Sequence, residues 1–154
     1  MRLRDYLRPD LVLTGLAARD MPSTLSAIAA HLAAAGVVES ADEALRGLKA
    51  REEVHTTVLG HGMALPHTTL EGLEKPVVLV ALAPEPIPFG PDEAEPVRIF
   101  FTLLSPPNRE AEHIKILARI CRLVRQENFV DELQSAPSAE AALAFIRSVD
   151  EQHV

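Results

Sequence analysis

The chain has 154 residues, long enough for a single domain that buries roughly two-thirds of the surface its unfolded form exposes. Hydrophobic residues at 47% and charged residues at 24% exclude a disordered chain, and the longest apolar run, Pro76 to Pro84, is too short to cross a bilayer. A net charge of -7 without any lysine or arginine block argues against nucleic acid as a partner, and one cysteine, Cys121, excludes an intrachain disulfide and a paired-thiolate zinc site.

The start MRLRDYLRPD carries no apolar stretch of signal-peptide length, which predicts a cytoplasmic protein. Leu11 to Leu16 reads as extended. A helix is predicted from Ser23 to Ala35 by the spacing of Leu25, Ile28, Leu32 and Ala35, with Ser23 as N-cap and Gly36 as stop. Ser40 or Asp42 opens a second helix through Ala44, Leu45 and Leu48 to about Arg51.

Between Thr56 and Leu70 the sequence reads TTVLGHGMALPHTTL. Gly60 and Gly62 mark a tight bend before a short apolar strand, Met63 to Leu65. Pro66 fixes its own φ and removes a donor, so it ends that strand and presents His67 at its tip. A neutral imidazole there is a competent nucleophile toward phosphorus, and the hydroxyls or N–H groups of Thr68 and Thr69 are candidate donors to phosphoryl oxygens.

Val77 to Leu82 and Val97 to Leu104 read as strands buried on both faces, separated by a surface loop punctuated by Pro84, Pro86, Pro88, Gly90 and Pro91. A helix is predicted from Arg109 to Arg125, with Ile114, Leu117, Ala118, Cys121 and Val124 inward and Lys115, Arg119 and Arg122 on a solvated basic side. Short and long helices follow, from about Glu127 to Leu133 and from Ser138 to Val149. Helices before and after buried strands predict one α/β domain over residues 1–154, with a core of about 5–149 and helices on both faces of a central sheet.

Arg51-Glu52, Leu59-Gly60, Met63-Ala64-Leu65-Pro66-His67, the Pro88-Phe89 loop before Pro96-Val97, and Glu112-His113-Ile114 resemble the phosphorylation-site pattern of phosphotransferase-system IIA domains of the fructose/mannitol/nitrogen-regulatory type. The resemblance implies a mixed sheet and a phosphoryl group accepted on Nε2 of His67 from the phosphohistidine carrier HPr or its nitrogen-branch counterpart. It implies that His113 lies beside His67, that Arg51 supplies a nearby positive charge, and that no metal or organic cofactor is needed. Glu52, Gly60 and Gly62 belong to the same motif. Thr68 stands where the family commonly has glycine, and His61 stands where it commonly has a polar or acidic residue.

Downstream, the resemblance allows either a sugar-specific IIB partner or a regulated kinase or transporter. The LRDYLRPDLVL opening and the lack of a fused IIB-like or IIC-like extension favour the regulatory role. A metal-binding alternative would use His55, His61, His67, His113 and Glu52 as nitrogen and oxygen ligands.

Overall fold

The computed structural model describes residues 1–153. Its centre is an antiparallel pair made of β5 (Val77–Ile87) and β6 (Val97–Ser105), to which shorter strands attach on either side. On one side β1 (Val12–Leu13) runs parallel to β5. On the other, β3 (Met63–Ala64) and β4 (His67–Thr69) both pair in parallel with β6, and β2 (Val58–Gly60) closes the edge antiparallel to β3. The sheet is therefore open and mixed, as the family resemblance implies, in the order β1-β5-β6-β3-β2 with β4 continuing the edge beside β6.

Helices cover both faces, and the sheet divides the buried interior into two apolar clusters rather than one. Alternation along β5 does the sorting: Val78, Val80 and Leu82 point to one cluster, and Val77, Leu79, Ala81 and Ala83 to the other. The first cluster is covered by α3 (Glu110–Val124), α4 (Phe129–Gln134), α5 (Ala139–Gln152) and an N-terminal 3-10 turn, Leu3–Tyr6. The second is covered by α1 (Met21–Ala34) and α2 (Ala41–Val54), which pack on each other as a pair.

Several expectations are corrected. The cap of α1 is Asp20, whose side chain accepts from the Ser23 backbone N–H, while the Ser23 hydroxyl returns to the Asp20 backbone: Ser23 is the inner member of a capping box. The second helix is capped by Ser40 and runs three residues past Arg51, to Val54.

Pro84 and Pro86 lie inside a strand, because β5 continues to Ile87. The register against β6 shifts between Leu82 and Ile87, and Pro84, Glu85 and Pro86 are exposed there. β1 has already ended at Leu13, so two residues without an N–H cost little ladder bonding in this bulged stretch.

The inward face of α3 is displaced from the predicted one. His113, Ile116, Arg119, Ile120 and Leu123 are buried, whereas Ile114 is 57% exposed and Ala118 is exposed. Arg119 is not on a solvated face: its Nε donates to Asp150 Oδ1 at 2.9 Å, with both side chains buried. Asp150 Oδ2 also accepts from the Arg4 backbone N–H, so this ion pair ties α3, α5 and the N-terminal turn together.

Candidate functional site

Pro66 interrupts the edge of the sheet between β3 and β4 with a trans peptide, and its carbonyl still accepts from the Leu103 N–H at 2.9 Å. His67 therefore opens a second short strand rather than ending the first. The register pairs His67 with Leu103, Thr68 with Leu104 and Thr69 with Ser105. Leu103 belongs to the α3-side cluster and Leu104 to the α1/α2-side cluster, so His67 and Thr69 face α3 while Thr68 faces α2.

His67 is half-buried, and its Nδ1 lies 2.8 Å from the Leu65 carbonyl oxygen. A carbonyl only accepts, so Nδ1 carries the proton and Nε2 keeps its lone pair. Burial lowers the pKa of His67 below its ordinary 6.5, the Leu65 carbonyl opposes this, the positive charge of Arg51 lowers it further, and Glu52 raises it. Burial thus favours the neutral imidazole, with Nε2 free of any hydrogen-bond partner among the described residues.

His113, in the first turn of α3, is buried beside it, with ring centroids 5.6 Å apart and the planes inclined at 56°. Its Nδ1 is 2.7 Å from the hydroxyl of Ser105. Burial lowers its pKa, a charge on His67 would lower it further, and Glu110 acts in the opposite direction. Burial thus favours the neutral form of both neighbouring imidazoles.

The helix that carries His113 is anchored at its start. The Tyr6 hydroxyl donates to Glu112, whose other oxygen is 3.2 Å from Arg109 Nε, and Arg109 also donates to the Glu74 carbonyl at 3.0 Å.

Arg51 stands in the last turn of α2 and donates to the His55 carbonyl at 2.9 Å; its charge is felt at His67. Glu52 is buried and its two oxygens take the Thr57 N–H and hydroxyl at 2.6 and 2.7 Å. That carboxylate shapes the connection from α2 into β2 and is committed to Thr57.

The structure separates three of the predicted binding residues from His67. Gly60 and Gly62 form the β2–β3 turn together with His61, with φ of 95°, 80° and 54° respectively. From Gly62 the extended chain runs five residues to His67, roughly 16 Å at strand rise, so the turn lies toward the far end of the edge. Thr68 packs over Gly47 of α2, where a Cβ would lie 3.1 Å from its methyl carbon, on the opposite face of β4 from the imidazole.

A cleft of about 770 Å³ lies by the glycine turn, lined by His61, Arg98, Cys121 and Arg125 among others, and does not include His67. Among the described residues no three His, Cys, Asp or Glu side chains cluster closely enough to hold a metal ion, which leaves the five-residue ligand set of the metal-binding alternative dispersed.

Ser105 escaped the sequence reading. Its only signal there is a small polar residue closing a largely apolar strand directly before Pro106-Pro107. The exposed apolar side chains Val54 and Ile114, 80% and 57% exposed, were not singled out as surface features either.

The fold is a mixed sheet with helices on both faces, and it brings His67 of β4 and His113 of α3 side by side. The chain belongs to the family described as "Phosphoenolpyruvate-dependent sugar phosphotransferase system, EIIA 2", whose model matches residues 5–149. It is 34% identical over 141 residues to a nitrogen regulatory protein of Bradyrhizobium diazoefficiens, covering 92% of each chain. It is 31% identical over 117 residues to the fructose-specific EIIA component of a phosphotransferase system in Haloferax volcanii, covering 76% of each. The crystal structure of nitrogen regulatory protein IIA-Ntr from Neisseria meningitidis superposes with a TM-score of 0.85 at 24% identity, covering 94% of this chain and 98% of that one. The family acts in phosphoryl transfer. Among the described residues no helix is long and apolar enough to cross a membrane.

Proposed function

We propose that this protein is a cytoplasmic phosphoryl carrier that accepts a phosphoryl group on Nε2 of His67 from a phosphohistidine protein of the HPr type. The observation that carries the reading is the bond from His67 Nδ1 to the Leu65 carbonyl, because it directs the lone pair to Nε2 and holds the ring for attack.

As Nε2 attacks phosphorus, the bond from phosphorus to the donor's ring nitrogen breaks and its electron pair returns to the donor imidazole. The proton on His67 Nδ1 stays in place, and the Leu65 carbonyl stabilises the positive charge that spreads over the ring. His113 donates to a phosphoryl oxygen, Arg51 supplies positive charge at the helix end, and Thr69, on the same face of β4, offers a hydroxyl. Phosphoryl transfer asks mainly for such positioning and charge neutralisation. Val54 and Ile114 provide an apolar fringe near Arg51 and His113 for a protein partner to cover.

Of the two downstream roles, regulation is favoured by the similarity to nitrogen regulatory proteins over nearly the whole chain. In this reading the two phosphorylation states bind a kinase or transporter differently. Delivery to a sugar-specific IIB partner is the second reading, supported by the fructose-type relative.

The test is an intact-mass measurement on wild type and His67→Ala after incubation with phosphoenolpyruvate, enzyme I and an HPr-type carrier, kept alkaline because phosphohistidine is acid-labile. One phosphoryl mass on the wild type and none on the variant is the expected result. No mass gain with a carrier of either branch overturns the proposal.

A further inference from the structure

The carrier reading requires His113 to present an N–H from Nε2, yet a neutral imidazole carries only one proton and can place it on either nitrogen. Which tautomer forms is set by whatever Nδ1 touches. Here Nδ1 touches the hydroxyl of Ser105 at 2.7 Å, and Ser105 is fully buried at the end of β6.

A hydroxyl can donate or accept, so the distance alone leaves two arrangements. The surroundings decide between them. If Nδ1–H donated to Ser105, the hydroxyl hydrogen would need another acceptor, and among the described residues Ser105 Oγ has no hydrogen-bond partner except His113. Its own backbone carbonyl accepts from the Leu70 N–H at 2.9 Å and receives no hydrogen bond from the Ser105 hydroxyl. If instead the hydroxyl donates to Nδ1, hydrogen and lone pair are both satisfied and no buried donor is stranded.

Resting on the carrier reading, we infer that Ser105 is a positioning residue that donates to Nδ1 of His113 and thereby fixes the Nε2–H tautomer from which His113 donates to the phosphoryl oxygens. The two neighbouring rings are then held in complementary forms. The Leu65 carbonyl draws the proton of His67 to Nδ1 and bares a nucleophilic Nε2; the Ser105 hydroxyl blocks Nδ1 of His113 and leaves a donating Nε2–H.

The parallel register explains how a serine comes to lie there. Ser105 is opposite Thr69 on the face of β4 that also carries His67, so one strand pair brings nucleophile and positioning hydroxyl to a single side. Ser105 acts through His113 and touches neither the nucleophile nor the phosphoryl group.

The experiment combines nitrogen-15 NMR of the imidazole nitrogens in the unphosphorylated protein at mildly alkaline pH with the rate of phosphoryl acceptance from a phosphorylated HPr-type carrier. Wild-type His113 should be the Nε2–H tautomer. Ser105→Ala should shift it toward a mixture and slow acceptance about tenfold, the size of one hydrogen bond; Ser105→Thr, which keeps the hydroxyl, should recover most of both.

A wild-type His113 protonated on Nδ1 overturns the inference without reference to any variant. So does a Ser105→Ala protein with unchanged tautomer, or one whose tautomer moves while the rate does not. If the wild type accepts no phosphoryl group, the carrier reading fails and the positioning role falls with it; the NMR result still shows whether Ser105 sets the tautomer, which keeps the two failures apart.

Discussion

His67 and His113 lie 46 positions apart in the chain and meet with ring centroids 5.6 Å apart and planes inclined at 56°. Neither ring can replace the other, because His67 offers a lone pair and the carrier reading asks His113 for a proton. His67→Ala should abolish phosphoryl acceptance, whereas His113→Ala should slow it about 100-fold, the usual loss when one preorganised donor to developing charge is removed. His113→Gln, which retains an N–H donor, should recover part of that. Quenched-flow mass measurements would distinguish these outcomes, and equal rates for His113→Ala and wild type would remove His113 from the mechanism.

Burial first, and then the Arg51 charge, lower the pKa of His67 below 6.5. The reactive form is neutral, so the acceptance rate should stay flat as pH falls through 6.5 and decline only at the lowered value. The same shift affects stability. Between the lowered folded pKa and 6.5 the unfolded chain binds more protons, so this contribution is complete above 6.5 and is lost as pH falls through the folded value. His113 is lowered too and adds in the same direction. Denaturant melts at stepped pH should show the acid-side loss flattened in a His67→Gln/His113→Gln double variant; a midpoint at or above 6.5 in the rate profile would contradict the burial argument.

Arg119 and Asp150 form a pair with side chains 3% and 0% exposed. Removing one partner strands the other, since Asp150 would keep the Arg4 N–H but lose the guanidinium. Arg119→Met should cost about 3–5 kcal/mol by urea denaturation. A loss under 1 kcal/mol would mean that water reaches Asp150.

That ion pair also shows where reading from sequence stops. Caps at Ser40 and Ser138, apolar runs in β5 and β6, and the Pro66-His67 junction are all local signals, and they place most elements and His67. Pro22, in the first turn of α1, also puts the start of that helix ahead of Ser23, a local signal that the apolar spacing from Leu25 obscured.

What the sequence does not display is distance through space. Arg119 looks solvated until Asp150, 31 residues away, is packed against it. Gly60 and Gly62 look close to His67 because they are close in the chain, but an extended segment turns five residues into most of a strand's length. Ser105 becomes meaningful only when β6 and the start of α3 bring it to His113.

Tyr6 bonds to Glu112, the residue before His113, and so connects the N-terminal turn to the start of α3. Burial and then the Glu112 bond and charge push its pKa up to about 12. Ultraviolet titration should therefore show Tyr6, the single tyrosine, still un-ionised at pH 10, where an exposed tyrosine is half ionised. Tyr6→Phe should destabilise by about 1 kcal/mol. Ionisation at the ordinary value would show that the turn does not hold on α3 in solution.

Thr102 carries the converse defect. Its hydroxyl is buried within β6, and among the described residues it is the buried side-chain polar atom without a hydrogen-bond partner. Burying an unsatisfied hydroxyl costs about 1–3 kcal/mol, whereas a methyl group in the same place would contact its apolar neighbours without that penalty. Valine has nearly the shape of threonine and suits a strand. Thr102→Val should therefore raise stability by about 1 kcal/mol, read as a higher thermal midpoint with phosphoryl acceptance unchanged, because Leu103, not Thr102, is the residue paired with His67. A lower midpoint would mean that the hydroxyl is satisfied in solution, by an ordered water or by rotation onto a strand carbonyl, and that the central strand tolerates this threonine because it is bonded.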